Sequence, residues 1–164
     1  MSKQNKWRII KAAIILALVA VDIVVKVIVE KSLDENQSIK AIPGVINFTY
    51  VKNTGAAFSM FSNATIWLII FSIILIGIIE FLDFKVKNAN GWYHAGYCLV
   101  MAGAIGNLYD RIFKGFVRDF VELSFMKFGI FNVADIMLTV GVICYFVFII
   151  FYSGKEPRQE VKHE

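Results

Sequence analysis

Charged residues are scarce in this chain: they make up 18% of its 164 residues, while hydrophobic residues make up 58%. A soluble domain contains about 25% charged residues and a smaller apolar fraction, so the composition excludes a soluble globular protein. The charges that are present lie mostly between long apolar runs. The sequence therefore indicates an integral membrane protein.

Cysteine and histidine are also scarce, with two of each. Cys98 and Cys144 lie inside different apolar runs, where a thiol behaves as a small hydrophobic group, so a disulfide framework is not indicated. His94 and His163 have no neighbours at metal-ligand spacing, which argues against a metal site. Because the sequence also lacks a nucleotide-binding loop and a haem motif, we expect no cofactor and no nucleic-acid partner.

Four apolar runs are long enough to cross a bilayer, since each approaches the ~20 residues that span a ~30 Å hydrocarbon core. They cover residues 9–29, 64–82, 93–108 and 130–152. The sequence therefore predicts a mainly α-helical protein with four transmembrane helices. We expect residues 1–164 to form a single membrane domain.

Lysine and arginine are unevenly placed around these runs, and positive charge in short flanking segments marks the cytoplasmic side. The amino-terminal segment, the second loop and the tail at 153–164 contain Lys3, Lys6, Arg8, Lys11, Lys85, Lys87, Lys155, Arg158 and Lys162. Both termini are therefore predicted to be cytoplasmic, and the first and third loops to face outward. The third loop is an exception to the charge rule, because it contains Arg111, Lys114, Arg118 and Lys127.

The segment between the first two runs has a different character. Residues 45–51 are rich in β-branched and aromatic residues and follow the turn signal Pro43-Gly44, which predicts one or two short strands. Residues 53–58, with the sequence NTGAAF, then combine small residues with the amide of Asn53. Small residues let another backbone approach closely, and an amide can pair with a peptide bond. This segment is either part of a peptide-binding site or an ordinary turn.

Two opposite charges lie inside the first run. Asp22 and Lys26 are four residues apart, which places them on one helical face with the acid nearer the N-terminus. We interpret them as a structural ion pair that lowers the cost of two intramembrane charges and holds the first helix against polar groups of its neighbours. A direct chemical role is the alternative.

The third run ends in residues 103–111, with the sequence GAIGNLYDR, where small residues favour close helix contact. Asn107 and Arg111 are four residues apart and therefore project from one face near the outer surface. A guanidinium at that depth can bind a lipid phosphate through paired hydrogen bonds. A salt bridge from Arg111 to Asp110 or Asp119 is the alternative, and the spacing does not separate the two.

Two aspartates lie in apolar surroundings, where a lone carboxylate is costly and a pair is usually functional. Asp119 lies in the third loop and Asp135 lies five residues into the fourth run, roughly 8 Å along a helix, so both can reach the same shallow depth. In the loop, Phe116, Phe120 and Leu123 can lay an apolar face on the membrane. Two close carboxyl groups share one proton, which suits acid–base hydrolysis by an aspartyl pair. Charges that line an ion or proton path are the alternative.

In this order, the motifs resemble those of the bacterial lipoprotein signal peptidases, or signal peptidase II, which are membrane aspartyl proteases. The resemblance covers most of the chain and rests on Asp22 with Lys26 and on residues 53–58, 103–111, 117–120 and 131–135. Two departures stand out. The family usually has polar residues between the first acid and the lysine, where this chain has Ile23, Val24 and Val25, and often a small or polar residue at the position of Ile136.

The resemblance implies an aspartyl endopeptidase that removes the signal peptide from a diacylglyceryl-modified prolipoprotein, cleaving just before the lipidated cysteine. It implies Asp119 and Asp135 as the catalytic pair. It implies residues that line or support the substrate site at Asn53, Gly103, Asn107, Arg111, Asn132 and Ala134. It also implies a small extracytoplasmic β-cradle, a lid element on the membrane surface, and a site near the outer face of the bacterial cytoplasmic membrane. We expect contact with membrane lipid, inhibition by globomycin and a monomeric protein.

A non-enzymatic membrane protein is the alternative to a peptidase. In a small proton-coupled carrier, the same four charges would relay protons: Asp22, Lys26, Asp119 and Asp135. Such carriers place polar groups at mid-membrane in broken helices or inverted repeats, and the sequence shows neither clearly. An intramembrane aspartyl protease of the presenilin or prepilin peptidase type would need a Gly-x-Gly-Asp sequence, which the chain lacks.

Overall fold

The computed structural model describes residues 3–55, 65–86 and 89–152. Three predicted features therefore lie outside the described residues: positions 56–58 of the NTGAAF segment, Lys87 and the tail at 153–164. The described elements are α1 (Lys3–Ser32), β1 (Ser38–Ile42), β2 (Ile46–Asn53), α2 (Thr65–Asp83), α3 (Gly91–Lys114), β3 (Val117–Leu123) and α4 (Val133–Phe151).

Each of the four apolar runs contains a helix. Three of the described helices are long and apolar enough to cross a membrane: α1 over Asn5–Ser32, α2 and α4. The remaining helix, α3, lies at the centre of the bundle and packs against the other three. Its small and polar residues therefore face protein rather than lipid, which explains its lower hydropathy. It also extends past the predicted run to Lys114 and ends at Gly115, whose φ of 79° lies in the left-handed region.

A three-stranded antiparallel sheet in the order β1-β2-β3 lies at one end of the bundle, next to the C-terminal ends of α1 and α3 and the N-terminal end of α4. β1 and β2 form a hairpin around Gly44, which has a φ of 74°. The turn closes with the Val45 N–H donating to the Ile42 carbonyl oxygen at 3.0 Å. The strands predicted within residues 45–51 are therefore confirmed by β2.

The prediction of a membrane-lying loop around Asp119 is wrong. This segment is β3, which pairs with β2 so that Asp119 lies opposite Val51. Phe120 is only 3% exposed, and its ring lies 6.4 Å from that of Phe48. Strand pairing satisfies the backbone polar groups of this apolar segment. Of the three residues expected on the membrane face, Phe120 is buried in protein, while Phe116 and Leu123 are half-buried.

Close contact between α3 and α4 depends on Gly103. A Cβ at this position would lie 2.5 Å from the Ala134 carbonyl oxygen and 2.8 Å from Leu138 Cγ. Because the first of these contacts is with backbone, any side chain at position 103 would push the two helices apart. Gly103 and Ala134, both predicted to support the site, therefore lie where the backbones of α3 and α4 approach each other closely.

We expect Gly103→Ala to reduce the peptidase activity that the family resemblance implies at least tenfold. The first turn of α4 would shift relative to β3 and the two acids would separate, and a misplacement of about 1 Å costs about 10²-fold in rate. Gly77→Ala is the matched control, since a Cβ at Gly77 would have no neighbour within 4 Å. Cleavage rate and thermal melting of both variants test this. Equal activity of the two variants would contradict the packing argument.

Candidate active site

Asp119 lies near the start of β3 and is 3% exposed. Each of its carboxylate oxygens accepts a hydrogen bond, from Asn53 Nδ2 at 2.8 Å and from Asn132 Nδ2 at 2.6 Å. Asn53 reaches this carboxylate because β2 ends beside β3, with Asn53 paired to Val117. Sheet pairing therefore joins two site residues that are 66 positions apart in sequence.

Asp135 lies in the first turn of α4, inside a capping box. The Asn132 side-chain oxygen accepts the Asp135 N–H at 3.1 Å, and Asp135 Oδ2 accepts the Asn132 N–H at 3.1 Å. The other oxygen, Oδ1, accepts a hydrogen bond from Asn107 Nδ2 at 2.7 Å. The capping box and Asn107 therefore fix the orientation of this carboxylate at the N-terminus of α4.

Two amides connect the acids to each other. Asn132, which is fully buried, donates through Nδ2 both to Asp119 and to Asn107 Oδ1, the latter at 3.1 Å. Asn107 in turn donates to Asp135. Asn107 and Asn132 each donate through Nδ2 and accept through Oδ1, which lets one side chain connect two neighbouring groups. The predicted residues Asn53, Asn107 and Asn132 thus converge on the acids.

Two charged side chains of α1, Asp22 and Lys26, contact this hydrogen-bond network. Lys26 Nζ lies 2.8 Å from Asp22 Oδ2 and donates to Asn107 Oδ1 at 2.9 Å, with both charged side chains fully buried. Asp22 Oδ1 accepts the Ala134 N–H at 3.0 Å, next to the first turn that contains Asp135. The two charges thus form the ion pair that the spacing predicts, and they brace both α3 and α4. Ile23, Val24 and Val25, which replace the polar residues usual in the family, make none of the described side-chain hydrogen bonds of this network.

A second buried ion pair was not predicted. Arg118 and Asp110 are both fully buried, and the guanidinium donates to the carboxylate from Nη2 at 2.5 Å and from Nε at 3.1 Å. The Arg118 backbone N–H also donates to Asp110 at 3.1 Å, and Nη1 donates to Glu30 at 3.0 Å. Arg118 thus ties β3 to α3 and α1 one residue before Asp119. The available signal was the apolar neighbourhood of Arg118, since such a site requires a partner for a buried charge.

In the described part of the chain, Arg111 does not form the salt bridge to Asp110 or Asp119 that was the alternative to phosphate binding. Asp110 is occupied by Arg118, while Arg111 donates to the Gly55 carbonyl oxygen at 3.2 Å and to the Asn107 carbonyl oxygen at 3.5 Å. Among the described residues, no ion pair to Arg111 lies within 4.0 Å. Its guanidinium borders a cleft, and binding of a lipid phosphate there stays a prediction.

Both acids border the same cleft, which has a volume of about 490 Å³. We call it the apolar cleft, because its wall consists mainly of hydrophobic side chains from α4, β3 and the loop before α4. Its polar lining residues are Asn53, Asn107, Arg111, Asp119, Asp135 and Thr139. The cleft therefore combines a mostly apolar wall with a few polar groups, which is typical of a ligand-binding site. The two carboxylates are among those polar groups.

The pKa of Asp119 is raised to about 6, first by burial and then by the negative charge of Asp135. The hydrogen bonds from Asn53 and Asn132 act in the opposite direction and lower the pKa, but they do not cancel the effect of burial. A carboxyl group with this pKa holds its proton up to about pH 6. Asp119 can therefore hold the proton that an acid in acid–base hydrolysis must donate.

The sequence matches a known protein family over most of its length. The family model for signal peptidase (SPase) II matches residues 14–151. The chain belongs to the signal peptidase II family. The matched range contains every site residue described above, from Asp22 to Asp135. As a member of the signal peptidase II family, the chain is a membrane-embedded bacterial peptidase.

Relatives and solved structures are similar over most of their lengths. A lipoprotein signal peptidase of Streptococcus thermophilus is 44% identical over 129 residues, which are 79% of this chain and 84% of that protein. One from Microcystis aeruginosa is 37% identical over 159 residues, or 96% and 100% of the two chains. A solved bacterial membrane enzyme superposes with a TM-score of 0.83 at 30% identity and covers 93% of this chain and 94% of its own.

Proposed function

We propose that this signal peptidase II removes the signal peptide from diacylglyceryl-modified prolipoproteins, cutting just before the lipidated cysteine. In this proposal Asp119 and Asp135 are the catalytic pair. The observation that carries the proposal is their convergence on one cleft, where Asn107 and Asn132 hold both carboxylates. The printed name of the curated relatives, lipoprotein signal peptidase, supports this substrate class.

The two acids divide the work of hydrolysis. Asp135, whose carboxylate accepts hydrogen bonds from the Asn132 backbone N–H and from Asn107, acts as the base. It takes a proton from water, whose oxygen bonds to the scissile carbonyl carbon. Asp119, with the raised pKa, gives its proton to the carbonyl oxygen. In the resulting gem-diol one hydroxyl proton returns to the pair, and a proton passes to the amide nitrogen as the C–N bond breaks. The products are a carboxylic acid and the amine of the cysteine, and the pair again holds one proton.

The position of the sheet supports an orientation. Among the described residues, Lys6, Arg8, Lys11 and Lys85 lie at the end of the bundle away from the sheet. By the positive-inside rule that end is cytoplasmic, so the acids lie near the extracytoplasmic face of the bacterial cytoplasmic membrane. With its 24 residues, α3 is about 36 Å long, enough for a fourth span inside the bundle. The lid, inhibition by globomycin and a monomeric state are predictions from the family resemblance.

A gel-shift assay tests the proposed function. The purified protein in liposomes receives a prolipoprotein with a diacylglyceryl group on its cysteine, and a matched substrate with an unmodified cysteine serves as the control. We expect the lipidated substrate alone to lose its signal peptide, with the new amino terminus at the cysteine. Cleavage at another bond, or no cleavage by a well-folded sample, would contradict the proposal. The carrier alternative would then require a proton-flux assay.

The raised pKa of Asp119 predicts how the rate depends on pH. Because the carboxyl group is protonated below about pH 6 and loses its proton above, kcat/KM should fall as pH rises through an apparent pKa near 6. Removal of the Asn53 hydrogen bond favours the protonated form, so Asn53→Ala should move this fall to higher pH. A pH–rate profile of both proteins checks the prediction. A profile that stays flat to pH 9 would exclude Asp119 as the acid.

A further inference from the structure

A second cleft of about 780 Å³ lies against the sheet, and we call it the polar cleft. It shares Asn53 and Asp119 with the apolar cleft, so the two clefts meet at a proposed catalytic carboxylate. A polypeptide whose scissile bond lies at Asp119 must continue in both directions from that bond. The apolar cleft suits the membrane-embedded signal peptide, which precedes the scissile bond. The polar cleft is then left for the polypeptide that follows the scissile bond.

Glu122 gives the polar cleft a directed negative charge. Its Oε2 accepts hydrogen bonds from the Thr49 hydroxyl and from Asn47 Nδ2, so the side chain is held in place. Among the described residues, its other oxygen, Oε1, has no hydrogen-bond partner. Glu122 is half-buried and lines the cleft, so its carboxylate borders the space that a ligand would occupy. Lys127 is the one basic side chain in the described lining and is itself exposed.

We propose that the polar cleft binds the mature polypeptide that follows the lipidated cysteine, and that Glu122 makes the site prefer a cationic side chain there. This proposal rests on the proposed function. An extended chain advances about 3.3 Å per residue, and Glu122 is three residues beyond Asp119 on β3. A substrate chain that follows β3 therefore reaches Glu122 about 10 Å from the scissile bond. With the cysteine counted as the first residue, the preference falls on the third.

The test uses three lipidated prolipoproteins that differ only at this third residue: lysine, glutamine or glutamate. For the parent protein we expect a KM about threefold lower with lysine than with glutamate, and a similar kcat, because a partly exposed charge pair contributes modestly to binding. Glu122→Gln should abolish or reverse this preference, because Lys127 is then the charge that remains in the described lining. Higher salt should also reduce the parent's ratio, since a partly exposed charge pair is screened.

Two further variants keep the test decisive. Lys127→Gln removes the opposing positive charge, so the preference for lysine should become larger than in the parent. Glu35→Gln is the matched control, because Glu35 pairs with Lys52 outside the cleft and should leave the ratio at the parent value. Thermal melting establishes that each variant is folded, and Lys127→Gln alone decides the matter if Glu122→Gln does not fold.

The outcomes separate this inference from the proposed function. Cleavage of the glutamine substrate before its cysteine reports on the function itself, and its absence in the parent would overturn both proposals. If that substrate is cleaved but the lysine-to-glutamate ratio is the same in the parent and Glu122→Gln, the inference alone fails. A change in kcat without a change in KM would also overturn it, since a binding subsite acts on KM here.

Discussion

Asp119→Asn and Asp135→Asn should each reduce cleavage of a lipidated prolipoprotein by roughly 10³-fold or more, the largest effect on activity that we expect. An amide can neither take a proton from water nor give one to the scissile carbonyl. In the proposed mechanism the two acids share one proton, so loss of either should disable both. Removal of both acids should cost about as much as removal of one, because residues that act as a unit are not additive.

Three measurements accompany these variants. Single-turnover cleavage gives the rate, thermal melting shows that the fold is intact, and binding of an uncleaved substrate shows that the cleft still forms. Asp34→Asn is the matched control, since Asp34 is an exposed acid that does not line either cleft. Turnover above about a tenth of the parent rate in either acid variant would remove that acid from the proposed mechanism.

Arg118→Met should cause the largest loss of stability. The change removes three hydrogen bonds from side-chain nitrogens, two to Asp110 and one to Glu30. The change leaves the carboxylate of Asp110 fully buried. Among the described residues, the one cation then within 4.0 Å of it is Lys26, at 3.7 Å. Removing one partner of a buried ion pair costs about 3–5 kcal/mol, which corresponds to a fall in melting temperature of about 10 °C.

Two comparison variants identify the cause of that loss. Lys52→Met breaks the ion pair with Glu35, whose two side chains are 40% and 45% exposed, so its melting temperature should barely change. The double variant Arg118→Met with Asp110→Asn should recover part of the loss, because the uncompensated buried charge is gone. Equal melting temperatures for Arg118→Met and Lys52→Met would show that the buried pair contributes little.

Helix positions and the identity of the acids could be predicted because they depend on local signals. Long apolar runs indicate membrane helices, and Asp119 and Asp135 stand out since carboxylates are costly in such surroundings. The spacing of Asp22 and Lys26 likewise predicts one helical face, as the structure shows. Each of these inferences requires only residues within a few helical turns.

The environment of Asp119 could not be predicted in the same way. Strand β3 depends on pairing with β2, more than sixty residues earlier, and an isolated apolar segment does not reveal such a partner. The Arg118–Asp110 pair depends on the same pairing, because the strand places Arg118 over the end of α3. Non-local contacts of this kind are determined only when the chain has folded.

Composition, residue spacing and motif order are properties of the linear chain, and they were enough to identify a membrane protein of the signal peptidase II family with two candidate catalytic acids. The groups that contact those acids became known only from the folded structure. It brought Asn53, Asn107 and Asn132 from three separate elements to two carboxylates. It also joined an apolar and a polar cleft at Asp119. The physical reason is that burial and charge coupling, which determine the pKa of Asp119, depend on distances in space.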